Sequence, residues 1–374
     1  MKIAKRLLPF LLVILAAFFI GCSHTDKKEV KEVITKELDL LKNLDSDTTQ
    51  KYVSYQELFP DTDPTAKLSD EVNEVFSLFF RNFDSKILDI DVNKDKETAA
   101  ASVRLCTLEA HSLARDFSAA CLKSEILKAA ADSENTQETM PSISERYLLL
   151  NHLLKTKEYD MVEDNCTITL SKKEDTWEIN RTYSLENDLV GGLISYLSDP
   201  DILSPEDTLD VYLKTLKKMD SKEMSNYLGL ESILTDEDPA KQDIAEALAE
   251  QVHQNFNYEI EECTINGYRA SIKTKIITFD SDAILEGYQE ELNTYLSSPE
   301  AVIDGAQKRY QKSLELLLDY IENNEKTTDA STEFHLINDG VSWKLQDTSQ
   351  ELGNAIFGTL STTPVDETDA QTAE

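Results

Sequence analysis

The feature that most constrains the fold is an internal duplication. Two segments, beginning at Ile34 and Leu209, carry the same stripe of apolar residues spaced three and four positions apart. This spacing is typical of one buried helix face, because an α-helix has 3.6 residues per turn. The matched positions are Ile34, Leu38, Leu41 and Leu44 in the first segment and Leu209, Leu213, Leu216 and Met219 in the second. A helix stripe that occurs twice predicts two domains of one fold.

The likeness between the halves continues after these helices. Residues that alternate between apolar and polar predict half-buried strands in each half. Helical insertions are expected over 108–131 and 144–157 in the first half, and over 282–296 and 299–322 in the second. Each half then returns with a strand pair around a charged or Asn-Asp-Gly turn and closes with a short helix. The predicted fold class is α+β: two tandem cone-like domains, each with N-terminal helices and a curved antiparallel sheet of about four strands interrupted by a helical insertion.

Composition and pattern also predict the domain boundaries. The first repeat is expected over 24–197 and the second over 202–360, joined by the short linker 198–201. Residues 361–374 contain acids, no base and few apolar side chains, which predicts a disordered acidic tail. The chain has two tryptophans, Trp177 and Trp343, one in the last strand of each repeat. Two roles are open to them: packing in the core, or lining a ligand cavity in each domain.

The N-terminus has the parts of a bacterial lipoprotein signal. Three basic residues precede an apolar stretch over 7–20, which is shorter than the roughly 20 residues that span a bilayer. Gly21 supplies a small residue before Cys22, and this order resembles the lipobox. The resemblance implies removal of the signal peptide 1–21, attachment of diacylglycerol to Cys22, and N-acylation by a fatty acid such as palmitate. The alternative is an uncleaved anchor with an ordinary buried cysteine.

The charge of the chain restricts its partners. After removal of residues 1–21, 34 basic residues remain against 71 acidic ones, a net charge of −37. Such a surface repels the phosphates of nucleic acids, so a nucleic-acid partner is not expected. It also repels anionic lipid headgroups. We therefore expect a body that stands off the membrane and is held by its lipid anchor alone.

Four cysteines follow Cys22 in the sequence. Cys106 ends one predicted strand and Cys166 begins a later one, and antiparallel neighbours bring such ends together. The two are therefore a predicted disulfide pair, with Cα atoms within about 7 Å. The alternative for all four is buried free thiols. No C-x-x-C spacing occurs, so neither a zinc site nor a thioredoxin-type site is indicated.

The doubled pattern resembles the nuclear transport factor 2-like, cystatin-like cone, and in particular its tandem copies in Gram-positive surface lipoproteins of unknown function. The resemblance covers about 26–197 and 202–360. It is carried by an Asp-Ser helix break, a following tyrosine and the tryptophan of the terminal strand pair. These residues are Asp45, Ser46, Tyr52 and Trp177 in the first half, and Asp220, Ser221, Tyr227 and Trp343 in the second. Such cones occur in enzymes and in non-enzymes, so the fold alone implies no activity.

The sequence contains no recognisable catalytic or metal-binding motif. Its five histidines form no H-x-x-x-H or H-E-x-x-H pair, and G-x-S-x-G, G-x-x-x-x-G-K and G-x-G-x-x-G do not occur. His335 alternates with apolar neighbours and is expected to face solvent. Asp89 and Asp91 share a strand face, as a carboxylate pair would, but such residues are more often simply the solvent-facing side of a sheet. No metal and no cofactor are expected.

These patterns predict a membrane-anchored extracytoplasmic lipoprotein with a non-catalytic role in binding a small-molecule ligand or a partner protein. Two alternatives stay open. A solute-binding lipoprotein of a transporter needs strands that alternate with helices in parallel sheets. A cone-type lyase or isomerase needs an acid–base pair deep in one cone.

Overall fold

The computed structural model describes residues 25–43, 58, 70–131, 142–228, 239–346 and 349–361. It divides into a first unit (Met1–Ser118 and Pro141–Ile202) and a second unit (Ala119–Met140 and Leu203–Glu374). The first repeat was expected to be continuous over 24–197. In the structure, the segment from Ala119 groups with the second unit, because Ile126 and Ala130 pack into its hydrophobic core.

The first unit combines helices with four strands. Among its described residues, two longer helices precede the first strand pair, two follow it, and two short helices close the unit. The elements are α1 (residues 25–42), α2 (Asp70–Phe79), β1 (Asp84–Asn93), β2 (Thr98–Leu108), α3 (Ala110–Ala131), α4 (Ile143–Thr156), β3 (Met161–Lys173), β4 (Thr176–Ile179), α5 (Tyr183–Leu189) and α6 (Leu193–Leu197). Helix α3 starts in this unit and continues into the residues of the second.

The elements of the second unit repeat the order of strands and helical insertion, with three described helices before the first strand. They are α7 (Pro205–Leu216), α8 (Ser221–Tyr227), α9 (Pro239–Asn255), β5 (Asn257–Asn266), β6 (Arg269–Phe279), α10 (Ser281–Leu296), α11 (Pro299–Glu322), β7 (Thr327–Asn338), β8 (Trp343–Leu345), α12 (Ser349–Phe357) and a 3-10 turn (Gly358–Ser361). Ser204 caps α7 with Pro205 at its first position, and the Asp220 carboxylate accepts a hydrogen bond from the Glu223 amide at the start of α8.

Each unit contains one four-stranded antiparallel sheet in which neighbours in sequence are neighbours in space. The orders are β1-β2-β3-β4 and β5-β6-β7-β8. In both sheets the helical insertion lies between the second and third strands. The predicted α+β class, with two four-stranded antiparallel sheets and their helices, is confirmed.

One face of each sheet is buried, and the alternation along the central strands explains this. The core-facing residues of β2 and β6 are at most 5% exposed, whereas their sequence neighbours point to the other face. These residues are Ala99, Ala101, Val103 and Leu105 in β2, and Ala270, Ile272, Thr274 and Ile276 in β6.

A β-bulge interrupts the first strand of each sheet. The register of β1 on β2 shifts between Ile87 and Asp89, and that of β5 on β6 shifts between Ile260 and Glu262, an equivalent position. Leu88 is the extra residue of the first bulge. Its side chain is 43% exposed, although simple alternation places it with buried Ile90. A bulge adds one unpaired residue, so alternation fails there.

The first helix of each unit makes an equivalent polar contact with the start of the first strand. Lys42 Nζ lies 2.7 Å from Asp84 Oδ1 in the first unit. Lys217 Nζ donates to Asn257 Oδ1 at 2.9 Å in the second. The buried stripe of α1 consists of Val30, Ile34, Leu38 and Leu41, all at most 3% exposed. Leu209, Leu213 and Leu216 of α7 are at most 1% exposed, so the repeated stripe has one structural role.

The closing helices end at equivalent glycines. Gly191 and Gly358 both have positive φ, +62° and +53°. A Cβ on Gly191 would lie 2.7 Å from Thr107 Oγ1, and one on Gly358 would lie 2.5 Å from Ser281 Oγ. Both positions therefore need glycine for its backbone conformation and for the close approach.

Several expected features lie outside the described residues. They are the signal peptide 1–21, Cys22, the matched Leu44, Asp45, Ser46 and Tyr52 of the first repeat, and residues 362–374 of the expected tail.

Candidate binding surface

Both tryptophans are core residues in the structure. Trp177 and Trp343 are each 6% exposed, and they lie opposite Lys172 and Asn338 on the neighbouring strands. Lys172 Nζ is 5.8 Å from the centre of the Trp177 ring, and the buried Trp177 indole N–H has no hydrogen-bond partner among the residues that the structure describes. Trp343 belongs to the hydrophobic cluster of the second unit.

An enclosed apolar cavity of the first unit lies among helices α2, α3 and α4. Its volume is about 10 Å³, and its ten lining residues include Phe76, Phe80, Leu113 and Leu150 but not Trp177. A cavity of this size is at the lower limit for one water molecule. It offers no room for an organic ligand.

The predicted Cys106–Cys166 pair is wrong in the structure. Both cysteines are free. Cys106 is paired in register with Glu163, whereas Cys166 is paired with Val103, three positions away along the strand. Cys166 shares the buried face with Val103, and Cys106 belongs to the opposite face. The antiparallel arrangement was predicted correctly, but the register keeps the two sulfur atoms on different sides of the sheet.

The environment of Cys166 keeps its thiol protonated. Burial, together with the nearby charge of Asp188, raises the pKa of Cys166 to about 12. Burial and the charge of Asp164 in turn raise the pKa of Asp188 above its usual value. A thiol is nucleophilic as its thiolate, so Cys166 is an inert core residue at neutral pH.

A polar cluster on the outer face of the second sheet contains a serine, a histidine and a glutamate. Ser271 Oγ is 2.6 Å from Glu333 Oε1 and 2.9 Å from His335 Nδ1. A nucleophile–base–acid relay places the histidine between the hydroxyl and the carboxylate. Here the serine occupies the middle position, on an exposed sheet face. The cluster has the composition of a catalytic triad but not its geometry.

The sequence pattern correctly oriented several of these polar side chains. His335 is exposed between buried Phe334 and Leu336, as the alternation predicts. Asp89 and Asp91 are exposed on β1. The contact of Ser271 with His335 joins residues 64 positions apart, so only the β6–β7 register reveals it.

Exposed apolar side chains collect on two turns at one edge of the second sheet. Ile265 and Tyr268 flank the β5–β6 turn and are 57% and 60% exposed, and Val341 in the β7–β8 turn is 63% exposed. The two turns are adjacent, because the Asn338 amide donates to the Tyr268 carbonyl at 2.8 Å. We call this surface, formed by residues 265–269 and 338–342, the turn edge of the second unit.

Hydrogen bonds hold the turn edge of the second unit in one conformation. Asp339 Oδ1 accepts from the amides of Val341 and Ser342 at 2.9 and 3.0 Å, and Lys344 Nζ is 2.9 Å from Asp339 Oδ2. Although burial acts in the opposite direction, these contacts lower the pKa of Asp339 to about 2. The Arg269 guanidinium lies 5.5 Å from the centre of the Tyr268 ring. Hydrogen bonds and an ion pair therefore brace the turns that carry the apolar side chains.

The corresponding turns of the first unit have a different surface. The β3–β4 turn is formed by Lys173, Glu174, Asp175 and Thr176, and the β1–β2 turn by charged residues from Lys94 to Glu97. The contact between the turns is retained, since the Lys172 amide donates to the Glu97 carbonyl at 2.9 Å. The two repeats therefore share the construction of this edge but differ in its chemistry.

The described residues contain neither a metal site nor a membrane-spanning helix. No group of three or more His, Cys, Asp or Glu side chains in these ranges is arranged to hold a metal ion. Among the helices that the structure describes, none is long and apolar enough to cross a bilayer.

Neither a protein-family profile nor a curated protein sequence matches the chain. Among solved structures, the chain is similar to that of YcdA from Bacillus subtilis, which is provisionally described as a lipoprotein. The two sequences are 12% identical, the alignment covers 73% of this chain and 96% of that chain, and the TM-score is 0.27. We base the functional proposal on the residues of this chain.

Proposed function

We propose that the chain is a lipoprotein anchored through Cys22 to the extracytoplasmic face of the cell membrane, and that it binds a partner protein without catalysing a reaction. The observation that carries the binding role is the turn edge of the second unit. Exposed apolar side chains gathered on one surface mark interaction sites. Tyrosine and arginine, here Tyr268 and Arg269, are enriched among the residues that dominate binding energy.

The construction of this edge supports recognition of a folded partner. Its turns are held by Asp339 and by the contact between Asn338 and Tyr268. A surface that is ordered before binding loses little conformational entropy on association. The same positions of the first repeat are charged, so the apolar character is a property of one copy and not of the shared fold.

The alternatives find less support. A transporter-type solute-binding protein is built on parallel sheets, whereas both sheets here are antiparallel meanders. A lyase or isomerase of the cone type needs an enclosed acid–base pair. The Ser271 cluster is on an open sheet face, so it does not supply one. We also propose that each repeat is a nuclear transport factor 2-like cone, as the resemblance of the sequence implies.

Photo-crosslinking of the full-length protein in intact cells tests the binding surface. A benzoylphenylalanine at position 341 is expected to give a discrete protein adduct, and Ile265→Ser with Tyr268→Ser is expected to reduce that adduct by about tenfold. The matched control is Val302→Ser with Ile303→Ser, because these side chains are equally apolar, belong to the same unit and are 78% and 83% exposed. An adduct that survives the first pair, or is lost only with the control pair, contradicts the proposal.

A further inference from the structure

The described part of helix α1 lies close to the proposed anchor in the sequence. Its first described residue is Thr25, three residues after Cys22. Three residues of fully extended chain span no more than about 11 Å. The start of α1 is therefore held close to the headgroups of the lipid layer that contains the acyl chains of Cys22.

The start of α1 is attached to two turns of the first sheet. Asp26 Oδ2 lies 3.5 Å from Lys94 Nζ in the β1–β2 turn. Asp26 Oδ1 lies 3.8 Å from Lys172 Nζ at the end of β3. The buried stripe of α1 anchors the rest of the helix in the unit. A short tether on α1 therefore places both turns at the membrane together with the helix.

We call this surface, formed by residues 25–32, 94–97 and 172–175, the turn edge of the first unit. Seven lysines and seven acids occupy it, so its net charge is zero. Residues 22–374 carry a net charge of −37, and all of it therefore lies outside this edge. The lysines are Lys27, Lys28, Lys31, Lys94, Lys96, Lys172 and Lys173, and the acids are Asp26, Glu29, Glu32, Asp95, Glu97, Glu174 and Asp175.

This distribution of charge makes the turn edge of the first unit the surface that an anionic bilayer repels least. The Debye length at physiological ionic strength is about 8 Å, comparable to the length of the tether. Acidic surface within that distance is repelled by anionic headgroups, whereas a neutral edge is not. Six of the seven lysines are exposed, and Lys172 is half-buried. Six of the seven acids of this edge are exposed as well, and Asp26 is half-buried between Lys94 and Lys172. Lysines extend their ammonium groups on long apolar stems, so the exposed Lys27, Lys31 and Lys96 can reach lipid phosphates.

We propose that the turn edge of the first unit rests against the phosphate headgroups of the anchoring bilayer and thereby fixes the orientation of that unit. This inference rests on the proposed attachment of lipid to Cys22. It replaces the expectation from net charge alone that the body stands off the membrane. The total charge indicated repulsion, but the short tether and the local charge balance determine which surface meets the lipid.

Lipid photo-crosslinking of the full-length lipidated protein in liposomes tests the orientation. The liposomes contain phosphatidylcholine with phosphatidylglycerol. Benzoylphenylalanine replaces Glu174 at the turn edge or, as the control, Glu158, which precedes β3 at the opposite end of the same sheet. We expect about tenfold more lipid adduct from position 174 than from position 158. Equal adducts from a lipidated, liposome-bound protein overturn the orientation.

A charge reversal tests the part played by the lysines. Lys27→Glu with Lys96→Glu is expected to reduce the adduct from position 174 by about tenfold. Lys218→Glu with Lys222→Glu changes the total charge equally on exposed residues of the second unit and is expected to leave the adduct unchanged. Equal effects of the two pairs contradict a specific contact at this edge. A missing anchor is distinguishable from a wrong orientation. Without lipid on Cys22, the wild-type protein lacks the mass of the acyl chains and does not stay with the liposomes, and this result overturns both proposals.

Discussion

Asp188 is a partly buried acid whose surroundings disfavour its charge. Burial and Asp164 raise its pKa, so the folded state holds the proton more tightly than the unfolded state. For a carboxyl group with a raised pKa, stability falls as pH rises from the unfolded value of about 3.9 through the folded value. At neutral pH the charged Asp188 therefore destabilises the first unit.

We predict that Asp188→Asn raises the Tm of the first unit at pH 7 by about 2 °C, because the amide removes the charge. The gain should disappear below about pH 4, where Asp188 is protonated in both states. Calorimetry at the two pH values measures this change in Tm. The control is Asp91→Asn on the exposed face of β1, which should leave the Tm unchanged. A lower Tm at pH 7 would show that the carboxylate has a stabilising partner.

The burial of the tryptophans leads to a second prediction at this scale. Trp177→Ala and Trp343→Ala should each lower the free energy of unfolding of their own unit by about 3–5 kcal/mol, the usual loss for a large core side chain. Trp177→Phe should cost less, since it removes an indole N–H that has no hydrogen-bond partner within the described part of the chain.

Urea denaturation followed by circular dichroism measures these losses. Each variant retains one tryptophan, whose fluorescence reports on the other unit and serves as an internal control. A loss below about 1 kcal/mol would contradict the core assignment.

At the level of elements, α1 and α7 are equivalent helices with one packing role. Ile34 and Leu209 occupy matched positions, and both are 0% exposed. We predict that Ile34→Ala and Leu209→Ala each destabilise their own unit by about 2–5 kcal/mol. Thr35→Ala, at an exposed position of α1, should have little effect. Urea denaturation measures the free energy of unfolding of each variant, and losses that differ by more than about 3 kcal/mol would show that the helices are not equivalent.

The elements were predicted more accurately than the details of their pairing. The two expected helical insertions of the second half, over 282–296 and 299–322, agree closely with α10 and α11, because their apolar spacing and the Ser298-Pro299 start are local signals. The bulge at Leu88 and the β2–β3 register were not predicted. Bulge position and register depend on contacts between strands, and a single strand does not encode its partner's offset.

At the scale of the whole molecule, the proposed lipid anchor leads to a prediction about Cys22. We predict that Cys22→Ser yields a folded protein that no longer carries lipid, because the thiol is the attachment site implied by the signal. Metabolic labelling with a radioactive fatty acid measures the attachment, with Cys263→Ser as a control that should retain the label. Label on the Cys22→Ser protein would refute this site.

The charge of the whole molecule is unevenly distributed along the chain. The turn edge of the first unit has no net charge, whereas the rest of the chain after residue 21 carries −37. The composition gives the total charge correctly, but a bilayer interacts mainly with the charges that lie within about a Debye length of it. An inference about membrane contact therefore needs the position of each lysine as well as the total.

The sequence by itself determined the duplication, the α+β class, the placement of most helices and the outward direction of His335, and it carries the N-terminal pattern on which the proposed lipid anchor rests. All of these depend on periodicity or on short motifs, which are properties of neighbouring residues. The tertiary structure alone decided that Cys106 and Cys166 lie on opposite faces, that Ser271 contacts His335, and that Asp26 joins Lys94 and Lys172. It also showed that the β5–β6 and β7–β8 turns form one apolar surface. These features require residues tens of positions apart to meet, and strand register and helix docking set such contacts through packing of the whole unit.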